Sequence, residues 1–326
     1  MRESSLESFF PEIAVKTLKN IVIGTSLTEH SDSVVRTGLA IAKATGATPW
    51  LIHAGSILLD SSGLGMDQVW TERNWNNLRE LLEEQARRTW LSALPGFSSD
   101  QVRLAVGAPH RKILELASDV EADLLVVGTA ESSHMLGSTA DRVIRKAPCP
   151  VLSVRSEAAF PPVRVEFPVD LSPISANAFR QGLDFLAQIG LPVTESEVLF
   201  VLNPFEVGGS VNFTPEQIQR FADEELSRFV KASAPGRPCP QRTQVRIGYA
   251  REEILAVLQE RRADLAVLGT QGRSGFERLM LGSVAVGVLR SAECNLLIVP
   301  PAAEPEEPSA GADRTSGEVP VAAGRS

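Results

Sequence analysis

Short apolar runs alternate along this chain with longer stretches in which apolar residues return every three or four positions. IVIG, ending at Gly24, and VEFPV, ending at Val169, read as short strands. Each precedes an amphipathic stretch of about 12 to 15 residues with helical spacing. WLIHA from Trp50 and VLFVL from Val198 read as second strands. A longer helix follows each of them. The later one has a clear start, because Thr214 as N-cap, Pro215 at N1 and Gln217 at N3 spell a capping box. The earlier one is expected over roughly residues 67 to 93, with Leu78, Leu81, Leu82 and Trp90 near helical spacing. Strands alternating with helices imply a parallel sheet covered on both faces, a doubly wound α/β architecture.

The pattern occurs twice. EADLLVVGT from Glu121 returns as RADLAVLGT from Arg262, an offset of 141 residues. VRLAVGAPHRKILEL returns as VRIGYAREEILAVL, setting Val102 against Val245 and Gly107 against Gly248. GSTADRVIRKAPCPVLSV returns as GSVAVGVLRSAECNLLIV, with Gly137 against Gly282 at an offset of 145. The first strands match as well, placing Ser26 opposite Asp170. The offset therefore changes by four inside one glycine-containing loop. We place the boundary between the units in SEAAFPPV, residues 156–163, giving domains 1–157 and 158–303. The tail 304–326 is rich in Pro, Ala, Gly and charge, and is expected to be disordered.

The chain has 326 residues, enough for two domains with separate cores, and its 43% hydrophobic and 22% charged content is that of a globular protein. A net charge of −8 argues against a general nucleic-acid or anionic-membrane binder, which would need a clustered basic face. Arg87-Arg88 and Arg261-Arg262 read as solvated helix positions. Three cysteines without a CxxC pattern make no disulfide framework, and Cys149 and Cys294, at matching places, read as small buried residues. The N-terminal segment has no basic stretch leading into an apolar core, and no run of about 18 apolar residues follows. Neither a signal peptide nor a membrane span is expected, and a reducing cytoplasm is the simplest address. The four histidines show no metal-ligand spacing; His53 reads as structural, and His134 as a surface residue or a plug for the loop in which it lies.

The segment GTQGRSGFERLMLGS, Gly269 to Ser283, carries the chemistry. In a doubly wound sheet, ligands bind beyond the carboxyl ends of the strands where strand order reverses. A glycine there, followed by Gly-Ser before a helix, lets phosphate oxygens reach the backbone amides of the helix N-terminus. Ser283 adds a hydroxyl donor and Arg273 a charge. The same residues also serve as ordinary turn and cap residues, and the GxxxxGK[ST] signature of P-loop NTPases is absent.

The spacing G-x2-G-x9-G-S, between an ADLAVLG strand and a helix leading to CNLLIVP, resembles the ATP-binding branch of the universal stress protein family. The likeness covers about residues 19–155 and 160–301. It implies a five-stranded parallel sheet in each of two tandem Rossmann-like domains. It also implies ATP, with or without Mg, as the ligand. The family's binding positions transfer to the second unit. Asp170 matches the aspartate that contacts the adenosine, with Pro168 and Val169 along the same edge, and Val201 the valine that packs on the adenine. Gly269, Gly272, Gly282 and Ser283 match the phosphate loop, and Val284 follows as a backbone donor. Association through the strand after the glycine loop, here PVLSV and NLLIVP, is a further implication, either as an intrachain pseudo-dimer or between chains.

The first unit departs from this pattern. Ser26 stands in place of the aspartate, Glu131 replaces the second glycine, and four residues are missing before Gly137. A carboxylate beside phosphates repels them, so one nucleotide per chain is expected, held by the second unit. The function implied is an ATP-binding stress-response or regulatory protein acting without nucleic-acid or membrane partners. A nucleotide-independent interaction module and a slow ATPase remain as other readings, although no placed general base or catalytic lysine supports the latter.

Overall fold

The computed structural model describes residues 17–27, 31–55, 76–77, 80, 84, 99–129, 138–155, 160–192, 195–203, 214–240, 242–270 and 281–301. Its first unit runs β1 (Asn20–Gly24), α1 (Asp32–Thr45), β2 (Thr48–Gly55), β3 (Val102–Val106), α2 (Pro109–Asp119), β4 (Leu124–Gly128), α3 (Ser138–Lys146) and β5 (Val151–Val154). The second runs β6 (Val165–Val169), α4 (Pro173–Gln188), β7 (Ser196–Leu202), α5 (Pro215–Ser233), β8 (Arg242–Ile247), α6 (Ala250–Glu260), β9 (Leu265–Gly269), α7 (Ser283–Ser291) and β10 (Asn295–Val299). Both second strands lie where the apolar runs put them. Thr214, Pro215 and Gln217 form the capping box, with Thr214 Oγ1 accepting from the Gln217 amide and Gln217 Oε1 accepting from the Thr214 amide. Of the long helix expected over 67–93, only Asn76, Asn77, Glu80 and Glu84 are among the described residues, all four helical. The 304–326 tail and Arg87-Arg88 lie outside them.

Each unit is a parallel sheet, and the two join into one ten-stranded sheet of order β3-β2-β1-β4-β5-β10-β9-β6-β7-β8. The join is the antiparallel pair β5–β10, with Leu297 opposite Leu152 and the flanking pairs Leu296–Ser153 and Ile298–Val151. Leu152 and Leu297 are also equivalents in the repeat, so the pseudo-twofold axis passes between them. Strands of the two units therefore run in opposite directions, and their carboxyl ends open on opposite edges of the molecule. One face of the sheet is covered by α1, α4 and α5, the other by α2, α3, α6 and α7, and each apolar layer is continuous across both units.

The repeat reaches the backbone. The positive-φ residues Leu27 and Leu171, Glu121 and Arg262, and Gly46 and Gly190 form equivalent pairs. Gly38 and Gly182, an equivalent pair inside α1 and α4, let helix and sheet approach closely. A Cβ on Gly38 would stand 2.6 Å from Ile23, and one on Gly182 2.7 Å from Phe167. Asp123 and Asp264 are also equivalents. Each carboxylate accepts two backbone amides that lead into the first strand of its unit: Lys19 (2.8 Å) and Asn20 (3.2 Å), and Val163 (3.0 Å) and Arg164 (2.8 Å).

One alignment needs correcting. Gly24 pairs with Ile52, and its equivalent Pro168 with Leu199. Leu51 then corresponds to Val198, and their partners on the next strand are Val102 and Thr243. Val102 therefore matches Thr243, and Val245 matches Leu104, whose partner is His53 as that of Val245 is Phe200. The shared letters Val-Arg had pulled the edge strand two residues out of register.

Arg261 is not a solvated helix position. It caps α6 with its side chain only 16% exposed, and its guanidinium lies 2.8 Å from Glu166 on β6 and in direct contact with Glu197 on β7. Glu166 and Glu197 are register partners, so one cation answers two neighbouring carboxylates. Glu166 is 0% exposed. Burial, opposed by Arg261 and reinforced by Glu197, pushes its carboxyl up to about 8. The first-unit equivalents are Val22, Trp50 and Val120, an apolar solution to the same packing problem.

Candidate functional site

Strand order reverses in the second unit at β6, which lies between β9 and β7. Gly269 ends β9, Asp170 follows β6, and Val201 lies one residue from the end of β7. Pro168, buried in β6, has no amide to donate. The β6–β9 ladder spans only Val165–Leu265 and Glu166–Ala266, ending two residues before it. In the first unit, where Gly24 replaces Pro168, the β1–β4 ladder has three pairs. The strands at the reversal point thus part early in the second unit.

Asp170 is fixed by an Asx turn, its Oδ1 accepting from the Ser172 amide at 3.0 Å. Ser172 in turn caps α4, accepting from the Ser175 amide at 3.2 Å. The intervening Leu171 has φ 64°, and the equivalent Leu27 has the same value. Because both units hold this unfavourable backbone, it belongs to the fold's first turn and not to the second unit's chemistry. Val169 is buried in the core, whereas Val201 and Val284 are half-buried against the α6–α7 layer.

The segment after Gly269 returns to the sheet at its far end. The Thr270 amide donates to the Val299 carbonyl (3.0 Å), and the Thr270 carbonyl accepts from the Gly282 amide (2.7 Å). Gly282 is thereby held beside the end of β9 and forms the N-cap of α7, in extended backbone and with no side chain capping the helix. Ser283 is exposed at the first position of α7. Helix amides left without a cap, at the positive end of a dipole, suit an anionic group. Gly272 and Arg273 lie outside the described residues, as do Glu131, His134 and Gly137 of the first unit.

A crevice of about 220 Å³ opens at the carboxyl end of the first unit's sheet, where Gly24, Thr25, Ser26, Ala54, Gly128 and Thr139 are among its walls. Their equivalents are Pro168, Val169, Asp170, Val201, Gly269 and Val284, six of the candidate residues of the second unit. The repeat thus sets those six at the positions of the second unit that correspond to walls of the first unit's crevice. The two sets of positions differ in chemistry. Asp170 becomes Ser26, Val201 becomes Ala54 and Val284 becomes Thr139, so the first unit lacks the carboxylate and has a smaller and a more polar side chain where the second has two valines. His53 in that unit is structural, its Nδ1 lying 2.9 Å from the Thr25 carbonyl oxygen.

A family model described as Universal stress protein family matches residues 17–155 and again 164–300. The chain belongs to the universal stress protein family. Universal stress protein MJ0531 of Methanocaldococcus jannaschii is 31% identical over 140 residues, 42% of this chain and 81% of that protein. A universal stress protein of Thermus aquaticus, from the QAH/OAS sulfhydrylase 3′ region, is 30% identical over 141 residues, 42% of this chain and 98% of that one. Among solved structures, a functionally unknown protein, PA1789, from Pseudomonas aeruginosa PAO1 superimposes with a TM-score of 0.61. It is 16% identical and covers 88% of this chain and 94% of its own. A universal stress protein from Archaeoglobus fulgidus gives 0.58 at 15% identity, covering 86% and 98%. These two likenesses are of fold, with both units in tandem.

Two features of this universal stress protein escaped the sequence reading. The Glu166–Arg261–Glu197 cluster joins residues far apart in the chain, and its only signal is a lone Glu in each of two apolar strands. The Asp123 and Asp264 anchors stood in plain view in the repeated ADL phrase. Among the described residues no helix is long and apolar enough to cross a membrane, and no group of three or more His, Cys, Asp or Glu could hold a metal ion. Cys149 and Cys294 are buried thiols outside any disulfide, and burial pushes the Cys294 thiol up to about 12, which leaves it unreactive.

Proposed function

We propose that the second unit of this universal stress protein binds one molecule of ATP, and that occupancy regulates the protein's interactions in a stress response. The observation that carries the reading is that six candidate residues are the repeat equivalents of walls of the first unit's crevice, with Gly282 capping α7 beside the end of β9. Asp170, held by its Asx turn, offers its carboxylate to the ribose hydroxyls. Pro168 and Val169 form the edge beside it, and Val201 offers an apolar surface for the adenine. Gly269 and Gly282 keep side chains away from the phosphates, which meet the amides of Ser283 and Val284, the Ser283 hydroxyl, and the charge of Arg273 beyond Gly272. Mg accompanies the phosphates when present.

Titration calorimetry with ATP tests this. The wild-type chain is expected to bind one equivalent, and Asp170→Asn to weaken binding by about tenfold or more, the worth of a hydrogen bond to a charged acceptor. Equal affinity in the two proteins would remove Asp170 from the site. A second reading is favoured by the first unit, which keeps its fold and its pairing with the second while lacking the carboxylate: a nucleotide-independent interaction module. It predicts no ATP binding at all.

A further inference from the structure

Thr270, the residue between Gly269 and the glycine loop, is 7% exposed, and its hydroxyl has no hydrogen-bond partner among the described residues. A buried hydroxyl left without a partner is costly and uncommon. Its backbone is not free to turn away, since both its amide and its carbonyl are engaged, to Val299 and Gly282. Along β9, Ala266 and Leu268 point into the layer formed by α6 and α7, and Thr270 continues that alternation towards α7. Its first-unit equivalent, Thr129, is a wall of the crevice there. Thr129 differs in one respect: its hydroxyl reaches the Val154 carbonyl at 3.5 Å. The second unit therefore leaves without a partner, among the described residues, a hydroxyl whose equivalent in the first unit reaches a main-chain carbonyl.

We propose that the Thr270 hydroxyl donates a hydrogen bond to a phosphate oxygen of the bound nucleotide, making Thr270 a specificity-determining residue for the phosphorylated ligand. The inference rests on the ATP reading of the second unit. A neutral donor beside the uncapped start of α7 suits an anionic oxygen, and the engaged amide and carbonyl of Thr270 order it before the ligand arrives. An adenosine without phosphates would gain nothing from it.

The test uses the full chain with ATP and with adenosine as separate probes. Thr270→Val keeps the shape and removes the hydroxyl, Thr270→Ser restores it, and Thr129→Val is the control in the other unit. ATP affinity should fall about tenfold or more in Thr270→Val and stay within about threefold of wild type in Thr270→Ser and Thr129→Val. Adenosine affinity should be unchanged throughout. Thr270→Val should melt no lower than wild type, because it replaces an unpaired buried hydroxyl with a methyl group. If that variant fails to fold, Thr270→Ala takes its place. ATP binding by Thr270→Val at wild-type strength, or an equal loss for adenosine and ATP, overturns the assignment and leaves the site standing. Failure of the wild-type chain to bind ATP removes the site itself and this inference with it.

Discussion

Replacing Glu166 by Gln should stabilise the protein at neutral and alkaline pH and leave it nearly unchanged in mild acid. The carboxyl begins to ionise at about 4.5 in the unfolded chain and at about 8 in the folded one, because β6 is buried on both faces and Arg261 is shared with Glu197. Between those values the unfolded state gives up a proton that the folded state retains. Stability is therefore full below about 4.5, falls as pH rises, and levels off above about 8. At 1.36 kcal/mol per pH unit the whole interval is worth about 5 kcal/mol, and water at the exposed edge of Arg261 reduces this to roughly 2–4 kcal/mol. Gln mimics the protonated acid and removes the dependence. Urea unfolding of both proteins at pH 5, 6.5 and 8 measures it, with the gap between variant and wild type expected to widen at each step. A constant gap, or a Gln variant that is less stable at pH 8, would refute the claim that burial outweighs the pairing with Arg261.

Further tests address the frame of the two units. Gly182→Ala would drive a methyl group into Phe167 and Val267 at 2.7 and 2.8 Å and should cost about 1–3 kcal/mol in unfolding free energy, although alanine is the better helix former. Asp264→Ala should cost about 3 kcal/mol by stranding the amides of Val163 and Arg164, and Asp123→Ala should do the same at Lys19 and Asn20. Both are read by the thermal midpoint, and an unshifted midpoint would show that water replaces the carboxylate without loss.

The fold was legible because parallel strands buried on both faces leave nearly continuous apolar runs, and because the chain states the pattern twice. Thr214, Pro215 and Gln217 form the box their letters spell, since a capping box is closed within four residues. What failed was whatever depends on neighbours distant in sequence. β3 and β8 are edge strands, where half the positions face solvent and identity of letters is a poor guide to register; the pairing partners His53 and Phe200 decide it. Arg261 looked solvated because its neighbour Arg262 is, and nothing local reveals that Glu166 and Glu197 face it from two strands. Gly269 and Gly282 were marked by their spacing and Asp170 and Val201 by the family resemblance, and the structure sets Gly269, Asp170 and Val201 at or just beyond the carboxyl ends of β9, β6 and β7. The unpaired hydroxyl of Thr270 was not, because a threonine after a strand-ending glycine looks like any turn residue.

The central claim, that one unit holds a nucleotide and the other keeps only the fold, is tested most directly by counting. Protein purified without added nucleotide is denatured, and the released adenine nucleotide is quantified by ion-exchange chromatography against protein concentration, beside Gly272→Glu, which copies Glu131 into the intact loop. The account predicts about one nucleotide per chain, in keeping with one complete set of binding positions, and its loss in the variant. Two per chain would show that the first unit binds despite Ser26 and Ala54. None from the wild-type chain, with no uptake of added ATP, would contradict the account and leave an interaction module built on a bare pair of folds.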